Sequence, residues 1–364
     1  MAATKPSVVV TGIAGNLGLR LLPELDEFSV IGVDLRAPDT GRPLRFVKMD
    51  LGQEESCREL YQLLRETRAV AVVHLAFVVD PVRSGVLDVD RMWHINVAGT
   101  ARVMEAITEA NHDDAFIQKF IYPSSVSAYG SDLPGPVAED YPLGGHTLPY
   151  AIHKKEADEV VQQRAPALRG CSVYLLRPHI FAGATVENYM VGAYRGTPNG
   201  TGKYAAKLRG QGKSLPCMLP FGKRYLDNLM QFVHVDDMAR LIAHILHKTE
   251  PESQRLTVLN VAGRGAPLSL AQCIQIARHR LVRVPGKRVF RWGLQLLWKL
   301  GISAVPPEAE PYLTGQYIMN TDRLQKFLGP SYASVIRYTN TEAFEDCFAA
   351  VEAKQEREAA RLGN

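Results

Sequence analysis

A tyrosine and a lysine four residues apart, downstream of a serine pair, form a candidate proton-transfer set. Tyr150 and Lys154 lie in a segment of helical period, so both side chains project from one helix face. An ammonium about 6 Å from a phenol favours the phenolate by about 2.8 kcal/mol, which lowers a tyrosine pKa from about 10 to only about 8. The Ser125 hydroxyl could hold a substrate oxygen while the tyrosine moves its proton. The alternative is a capping serine and a packed tyrosine.

A glycine-rich turn follows the first apolar run of the chain. Val8, Val9 and Val10 lead into the stretch 11–18, Thr-Gly-Ile-Ala-Gly-Asn-Leu-Gly, which then opens a helix. Glycines here let the backbone approach a pyrophosphate, whose charge lies against the free amides of the helix N-terminus. An ordinary glycine turn is the alternative. The predicted dinucleotide-binding residues in this turn are Gly12, Ala14, Gly15, Asn16, Leu17 and Gly18.

Acidic residues follow the second and third apolar runs. Asp34 lies sixteen residues beyond Gly18, where the second strand of a dinucleotide-binding fold ends beside the adenosine ribose. A carboxylate there accepts hydrogen bonds from the ribose hydroxyls and repels a 2′-phosphate, which favours NAD over NADP. Arg36 could instead meet a phosphate. Asp50 and Leu51 are placed to meet the adenine edge, although an acidic turn residue is a competing interpretation.

The elements that position these residues alternate along the chain. Short β-branched runs are separated by helical segments long enough for right-handed crossovers, which predicts a doubly wound parallel sheet of the Rossmann type with a smaller C-terminal lobe. The predicted strands are 8–11, 30–34, 46–49, 70–75, 120–122, 173–176 and 256–261, and the predicted helices include 17–25, 54–66, 89–110 and 150–163. We expect a dinucleotide-binding domain over 1–183 and 232–264, a substrate-binding lobe over 184–231 and 265–340, and a C-terminal helix over 341–364. The stretches 184–231 and 266–329 read as irregular.

Composition narrows the class of protein. The 364 residues are 46% hydrophobic and 22% charged, which excludes a disordered or collagen-like chain. A net charge of +4 without a dense basic run does not indicate nucleic-acid binding. The five cysteines lie far apart and form no metal-binding pattern, so we expect a reducing compartment and no metal. The N-terminus lacks the features of a signal peptide, and 289–300 is too short and too charged to span a bilayer, which predicts a cytoplasmic protein.

Taken in order, these motifs resemble those of the extended short-chain dehydrogenase/reductases, in the NAD-dependent epimerase/dehydratase group that includes UDP-glucose 4-epimerases. The match rests on 11–18, Asp34, 50–51, 74–76, 96–100, 124–130, 150–154, 176–178 and 232–237. The resemblance implies that Ser125, Tyr150 and Lys154 are catalytic, that Asn96 supports a proton relay through Lys154, and that the chain forms a homodimer through its 89–110 and 150–163 helices. The further cofactor contacts it implies are Leu75, Ala76, Phe77, Asn96, Ser124, Tyr150, Lys154, Arg177 and Pro178. A bound nicotinamide ring would supply the remaining shift in the tyrosine pKa.

The sequence departs from nucleotide-sugar enzymes at two polar positions. Ile180 stands where related enzymes carry an asparagine, and Met230 and Gln231 stand where sugar epimerases place an arginine. Basic replacements are available, although a solvated loop is the simpler interpretation: Lys203, Lys207, Arg209, Lys213, Lys223 and Arg224. No acidic pair follows Ser125, which argues against dehydration.

Three functions follow from these residues. The first is epimerisation of a sugar nucleotide by transient hydride transfer at a carbinol carbon. The second is a net reductase or dehydrogenase of a more apolar hydroxy or keto substrate, and the third is a dinucleotide-sensing scaffold without catalysis.

Two smaller predictions concern the structure around the site. His234 is expected to be packed beside helix-capping Asp236 and Asp237, and 289–300 is expected to be a lid over the substrate pocket, with an interfacial helix as the alternative.

Overall fold

Seven parallel strands form the central sheet of the computed structural model, which describes residues 5–42, 44–79, 88–248 and 256–349. The strands are β1 (Ser7–Thr11), β2 (Ser29–Asp34), β3 (Arg45–Lys48), β4 (Ala71–His74), β5 (Lys119–Pro123), β6 (Ser172–Pro178) and β11 (Leu256–Val261). Their order is β11-β6-β5-β4-β1-β2-β3. The order reverses between β1 and β4, where Thr11 pairs with His74. The doubly wound sheet predicted from the sequence is confirmed, and ligands of such sheets bind at this reversal.

Helices cover both faces of this sheet. The α-helices are α1 (Asn16–Leu21), α2 (Ser56–Thr67), α3 (Val89–Trp93), α4 (Gly99–Ala110), α5 (Pro149–Arg164), α6 (Tyr189–Arg195), α7 (Lys203–Gly210), α8 (Arg224–Asp227), α9 (Val235–His247), α10 (Leu270–Ala277), α11 (Gly286–Lys299), α12 (Glu310–Thr314), α13 (Asp322–Leu328), α14 (Tyr332–Val335) and α15 (340–349). Short 3₁₀ turns cover Leu22–Leu25, Val126–Tyr129, Ala165–Ala167, Pro307–Ala309 and Gly329–Ser331. One apolar layer packs α1 and α9 on the sheet, and the other packs α2, α4 and α5 on its opposite face.

The smaller lobe is more regular than the sequence suggests. Its strands are β7 (Ile180–Ala182), β8 (Cys217–Pro220), β9 (Leu229–Met230), β10 (Phe232–His234), β12 (Leu268–Ser269) and β13 (Leu281–Val284). They form three two-stranded sheets, β10-β7, β12-β9 and β13-β8. The expectation that 184–231 and 266–329 are irregular is therefore wrong. Its elements are too short to show a clear period, and they are stabilised by packing around a shared apolar cluster.

The two segments of this lobe are joined at a close backbone contact. The amide of Gly200 donates to Ile302 O at 3.0 Å, and that of Gly202 donates to Gly301 O at 2.9 Å. A Cβ atom at Gly200 would lie 2.1 Å from Gly301 O, so only glycine fits there. The beginning of α7 is thereby held against the end of α11.

Two predicted helix ends need correction. The cap of α9 is His234, whose Nδ1 accepts from the Asp236 amide at 3.1 Å, rather than either aspartate. Asp236 instead pairs with Arg20, and Asp237 accepts from the backbone amide of Arg337. The C-terminal helix predicted over 341–364 is present as 340–349, and 350–364 lie outside the described residues.

All five cysteines lie within the described residues and are free thiols. No helix in the described part of the chain is long and apolar enough to cross a bilayer.

Candidate active site

Ser125, Tyr150 and Lys154 converge at the carboxyl edge of the sheet. Ser125 follows β5 and caps the turn Val126–Tyr129, with its hydroxyl accepting from the Ser127 amide at 3.1 Å. Tyr150 and Lys154 lie one turn apart near the start of α5. The Ser125 hydroxyl lies near enough to the Tyr150 phenol to lower its pKa, and Lys154 Nζ donates to the carbonyl of Pro123 at 2.7 Å. The end of β5 therefore contacts both side chains of the helix.

Burial sets the protonation of this group. It raises the pKa of Tyr150, and the nearby Ser125 hydroxyl offsets only part of that effect. Burial also lowers the pKa of Lys154 to about 7, although the Asp158 carboxylate opposes the change. At neutral pH the tyrosine is thus a proton donor, while the lysine is poised to gain or lose a proton.

Phe77, which follows β4, packs against two side chains of α5. Its ring meets Tyr150 edge-on with centroids 5.9 Å apart, and Lys154 Nζ lies 3.7 Å from its centre. The Tyr122 ring lies on another side of the same ammonium, at 5.0 Å. Aromatic faces partly compensate a buried cation, so these rings help to retain an ammonium whose one hydrogen-bond acceptor among the described residues is the Pro123 carbonyl. No local sequence pattern predicts this contact of Phe77 with Lys154.

Asn96 lies in a π-helical turn that the sequence did not predict. The turn His94–Ala98 interrupts a continuous helix from α3 to α4, and such turns are common at functional sites. The Asn96 side chain accepts from the Val78 amide at 2.6 Å and lies 3.3 Å from His153 Nδ1. It therefore fixes the chain that carries Phe77 against α5. Its role in a relay through Lys154 stays a prediction.

A buried histidine connects β1 to this π turn. His74 Nδ1 lies 2.7 Å from Thr11 Oγ1, and His74 Nε2 lies 3.1 Å from Thr100 Oγ1. Because Thr100 donates to Asn96 O at 2.7 Å, its hydroxyl must accept from His74 Nε2. Burial lowers the pKa of His74 to about 3, so the ring is neutral. The sequence carries one signal for this contact: Thr11 and His74 are the polar residues at which the buried strands β1 and β4 end.

The glycine turn has the shape required for close approach to a dinucleotide. Gly12 has φ +71°, and a Cβ atom there would lie 2.5 Å from the Ala76 amide nitrogen. A Cβ at Gly18 would lie 2.5 Å from Ile13 O. Gly15 caps α1 without a side chain over the helix end. The turn therefore packs directly on the chain 75–76 and leaves helix amides available to a pyrophosphate, so the residues present fit a dinucleotide.

The other predicted residues of this turn lie around that cradle. The Asn16 amide side chain donates to Thr185 O at 2.8 Å, while Leu17 and Leu75 are half-buried against the α1 face of the sheet. Ser124 lies beside Ser125, and its buried hydroxyl has no hydrogen-bond partner among the described residues. An unpartnered hydroxyl at this edge is available to a ligand.

Asp34 ends β2 beside the glycine turn. Its carboxylate accepts from the Ala14 amide at 3.0 Å and from its neighbour Leu35 at 2.7 Å. Arg36 is exposed nearby. The Asp50 carboxylate accepts from the Gly52 amide at 2.9 Å, while the Leu51 side chain is buried among core residues. Asp34 thus lies at the end of β2, as predicted. The Leu51 side chain packs in the core, so only the backbone of Leu51 is available for the predicted contact with an adenine.

Arg177 is part of the scaffold beneath the site. Its guanidinium makes a two-pronged ion pair with Asp158 on α5, at 2.8 and 2.9 Å. The third nitrogen donates to the Tyr129 hydroxyl and to Glu139 O, both at 2.7 Å. With all three nitrogens bonded to protein, the predicted cofactor contact by this side chain is not supported. Pro178 offers only its backbone at the end of β6. Asp158 was missed, although it continues the Tyr150–Lys154 spacing by one turn.

The two polar departures noted in the sequence lie inside the lobe. Met230 is fully buried, and the Gln231 side chain is hydrogen-bonded to both backbone groups of Met319. Ile180 is half-buried on β7. None of these three is available to hold a diphosphate. Among the basic replacements, Arg209 is committed to Pro198 O and Gly200 O.

A doubly wound sheet with a dinucleotide cradle and a Ser-Tyr-Lys group defines an extended short-chain dehydrogenase/reductase. Residues 8–262 match the model of the NAD dependent epimerase/dehydratase family, and the chain belongs to that family. It is 26% identical to the UDP-glucose 4-epimerase of Drosophila melanogaster over 64% of this chain and 70% of that one. It is 25% identical to the Bacillus subtilis (strain 168) UDP-glucose 4-epimerase over 78% of this chain and 83% of that one.

Solved structures share the fold at lower identity. The UDP-glucose 4-epimerase of Thermotoga maritima, solved with UDP-glucose, superposes with a TM-score of 0.65 at 18% identity, over 96% of this chain and 99% of that one. MoeE5 in complex with UDP-glucuronic acid and NAD superposes with a TM-score of 0.62 at 21% identity, over the same shares. The predicted family and fold class are confirmed, and the family is described as NAD dependent, in agreement with the predicted cofactor.

Proposed function

We propose that the chain epimerises a carbinol centre of a nucleotide sugar. The observation that carries this proposal is the convergence of the Ser125 hydroxyl and the Tyr150 phenol at the carboxyl edge of the sheet, with Lys154 one helical turn away. Family membership and the epimerases among the relatives support the same reaction. NAD, when bound, accepts a hydride from carbon and can return it.

The chain's own groups handle the proton and the oxygen. Tyr150 removes the substrate hydroxyl proton when the carbon is oxidised, and gives it back when the ketone is reduced. Ser125 donates to the same oxygen and stabilises the charge that develops there. Lys154 takes part through its pKa of about 7, which suits a proton relay. Because burial raises the pKa of Tyr150 in the protein alone, the phenolate that removes the proton requires the positive charge of a bound nicotinamide ring. Epimerisation requires that the keto intermediate rotate in the site, so that the hydride returns to its other face.

Asp34 and the glycine turn would hold the dinucleotide. The position of the Asp34 carboxylate at the end of β2 supports the preference for NAD, since a 2′-phosphate would be repelled there. Gly12, Gly15 and Gly18 would admit the pyrophosphate to the end of α1. The unpartnered hydroxyl of Ser124 would face the bound ligand.

Two measurements test this proposal. Mass spectrometry of small molecules released from the denatured protein should show NAD, and incubation with UDP-glucose or other nucleotide sugars should give the epimer without accumulation of NADH. Tyr150→Phe should abolish turnover, whereas Tyr204→Phe, which changes a tyrosine that is 60% exposed in the lobe, should not. A cellular or biochemical output that survives Tyr150→Phe but is abolished by Gly15→Val would instead identify a dinucleotide sensor without catalysis.

A net reductase of a more apolar substrate is the second candidate. A cavity of about 80 Å³ in the lobe is lined mainly by apolar side chains, among them Met190, Leu215, Leu270, Phe290 and Leu294. Its walls do not include Ser125, Tyr150 or Lys154, but they belong to the lobe expected to bind the substrate. Steady, substrate-dependent change of NADH absorbance would favour this reaction over epimerisation.

A homodimer is also proposed. The helices implied for dimerisation carry exposed apolar side chains, with Val89 49% and Trp93 39% exposed on α3. Trp93 Nε1 donates to Glu156 on α5, so the two helices present one continuous surface. Sedimentation velocity should give twice the chain mass, and Trp93→Ser should shift the protein toward monomer. A monomeric wild type would contradict the proposal.

A further inference from the structure

Helix α11 has two apolar faces, of which only one is covered by protein. Phe290 and Leu294 on its inner face are buried in the lobe. Four exposed apolar residues form an outer stripe along the other face: Val289, Trp292, Leu296 and Leu300. At 100° per residue they fall within about 80° of one another around the helix axis. Trp292 is 64% exposed, the highest value among the large apolar side chains of the described chain.

Basic side chains border this outer stripe. Arg288 and Lys299 lie along one edge of it, about 20 to 40° beyond Trp292 around the helix, and Arg291 follows farther round. All three are exposed, and none forms an ion pair within the described residues. The fourth cation, Lys287, lies 3.7 Å from Glu310 and faces the protein. Helix α11 itself contains no acidic residue.

The charge of the whole lobe has the same sign. Residues 184–231 and 265–340 hold 17 of the 42 Lys and Arg residues of the chain and 5 of its 38 Asp and Glu residues. The remainder of the chain therefore has 25 basic and 33 acidic residues. The net charge of +4 conceals a basic lobe attached to an acidic domain. A field of this kind orients the molecule toward an anionic surface.

Helix α7 begins beside the end of the outer stripe. Its start is held against the end of α11 by the Gly200 and Gly202 hydrogen bonds described above. Tyr204, 60% exposed, lies two residues beyond Gly202, and Lys203 and Lys207 are exposed on the same short helix. Aromatic and aliphatic side chains flanked by lysine and arginine are the composition of helices that lie in a membrane interface.

We propose that the outer stripe and its basic border bind the surface of an anionic lipid bilayer, an interaction that goes beyond the proposed enzymatic function. The apolar side chains would enter the headgroup region, and the cations would meet lipid phosphates. A second copy of the chain fits less well, because it would bring the same positive charge to the contact. A nucleic acid would use the cations but leave the apolar stripe unexplained.

Vesicle binding tests the apolar part of this surface. The full-length protein is sedimented with phosphatidylcholine vesicles, with or without about 30% phosphatidylglycerol. We expect at least about tenfold stronger partitioning onto the anionic vesicles and loss of most of it at high salt. Leu296→Ser should weaken partitioning by about tenfold, whereas Leu256→Ser, a matched change at a leucine of similar exposure outside the lobe, should not.

The basic border and the insertion of Trp292 are tested separately. Arg288→Gln with Lys299→Gln should weaken binding to anionic vesicles, whereas Arg58→Gln with Arg169→Gln, two exposed arginines outside the lobe, should leave it unchanged. In a Trp93→Phe/Trp298→Phe background, Trp292 fluorescence should be quenched by brominated lipids. Unquenched Trp292, equal partitioning of Leu296→Ser and Leu256→Ser, or an effect of Leu296→Ser on oligomeric mass alone would overturn the proposal. Unchanged melting temperatures verify that each variant is folded.

Discussion

Asp158 on α5 and Arg177 on β6 form a buried ion pair one helical turn beyond Lys154. The two charged side chains are 0% and 2% exposed, and two parallel hydrogen bonds join them. The pair fixes α5 to the sheet at the strand next to β5, which carries Ser125 at its end. The relative position of Ser125 and Tyr150 thus depends on an interaction that touches neither residue.

Loss of one partner of this pair should destabilise the fold strongly. Arg177→Met leaves the Asp158 carboxylate buried without its cation, which typically costs about 3–5 kcal/mol. Urea denaturation should show that loss. Because the destabilisation comes from the unpaired Asp158 carboxylate, the double variant Arg177→Met/Asp158→Leu should recover much of the lost free energy of unfolding. A double variant as unstable as the two single changes added together would argue against this account.

Lys154→Met should stabilise the protein at neutral and acid pH while it abolishes turnover. The folded-state pKa of about 7 lies below the usual 10.5, so the folded protein binds fewer protons than the unfolded chain between these values. Wild-type stability therefore rises with pH across that window, and the cost of the buried ammonium is complete below pH 7. We expect a gain of about 1–3 kcal/mol near pH 6 that declines toward pH 10.

Thermal and chemical denaturation at several pH values measure this gain. Lys155→Met is the control, since its neighbouring ammonium is more exposed and pairs with Glu159 at 3.9 Å. That variant should show little change at any pH. A stability difference for Lys154→Met that is constant with pH would contradict the assigned cause.

Tyr150→Phe should reduce turnover by about 10²–10⁴-fold, because it removes the proton-transfer group. Ser125→Ala should reduce it less, since Tyr150 would still move the proton. NAD content, measured by release from the denatured protein, should stay near the wild-type value in both variants. If Tyr150→Phe lost the cofactor as well, the tyrosine would have a binding role that outweighs its chemical one.

Gly12→Ala should lower both stability and NAD content. The new Cβ would lie 2.5 Å from the Ala76 nitrogen, at a residue whose φ of +71° is already unfavourable for alanine. We expect a loss of about 2–4 kcal/mol from strain and displaced backbone. Gly41→Ala is a matched control, because its Cβ would meet no atom within 4 Å. Equal effects of the two substitutions on melting temperature would refute the steric explanation.

Much of the central sheet was predictable because its strands carry a strong local signal. The runs 8–10 and 72–73 are buried and β-branched, and the structure places each predicted strand within three residues of its bounds. The glycine turn, Asp34, Tyr150 and Lys154 were predictable because their roles depend on spacing within one element. The smaller lobe was not, because β8 pairs with β13 across more than sixty residues and neither strand has a strong period alone.

The supporting shell of the site was missed for a similar reason. Arg177 was assigned to the cofactor from a motif, whereas its partner is Asp158, a residue on another element. Phe77 was expected to line the cofactor, but its contact with Lys154 depends on the π turn that positions Asn96. No local sequence pattern encodes a π turn between two regular helices, so this geometry emerges only from packing.

The close backbone contact of Gly200 and Gly202 with Gly301 limits which segments of this chain can be exchanged for those of other family members. A chimera that imported a foreign segment 184–231 alone would place a new chain against the native 301–302 backbone, with no room for a single added methyl group. The two segments of the lobe should therefore be exchanged together in library designs that shuffle it.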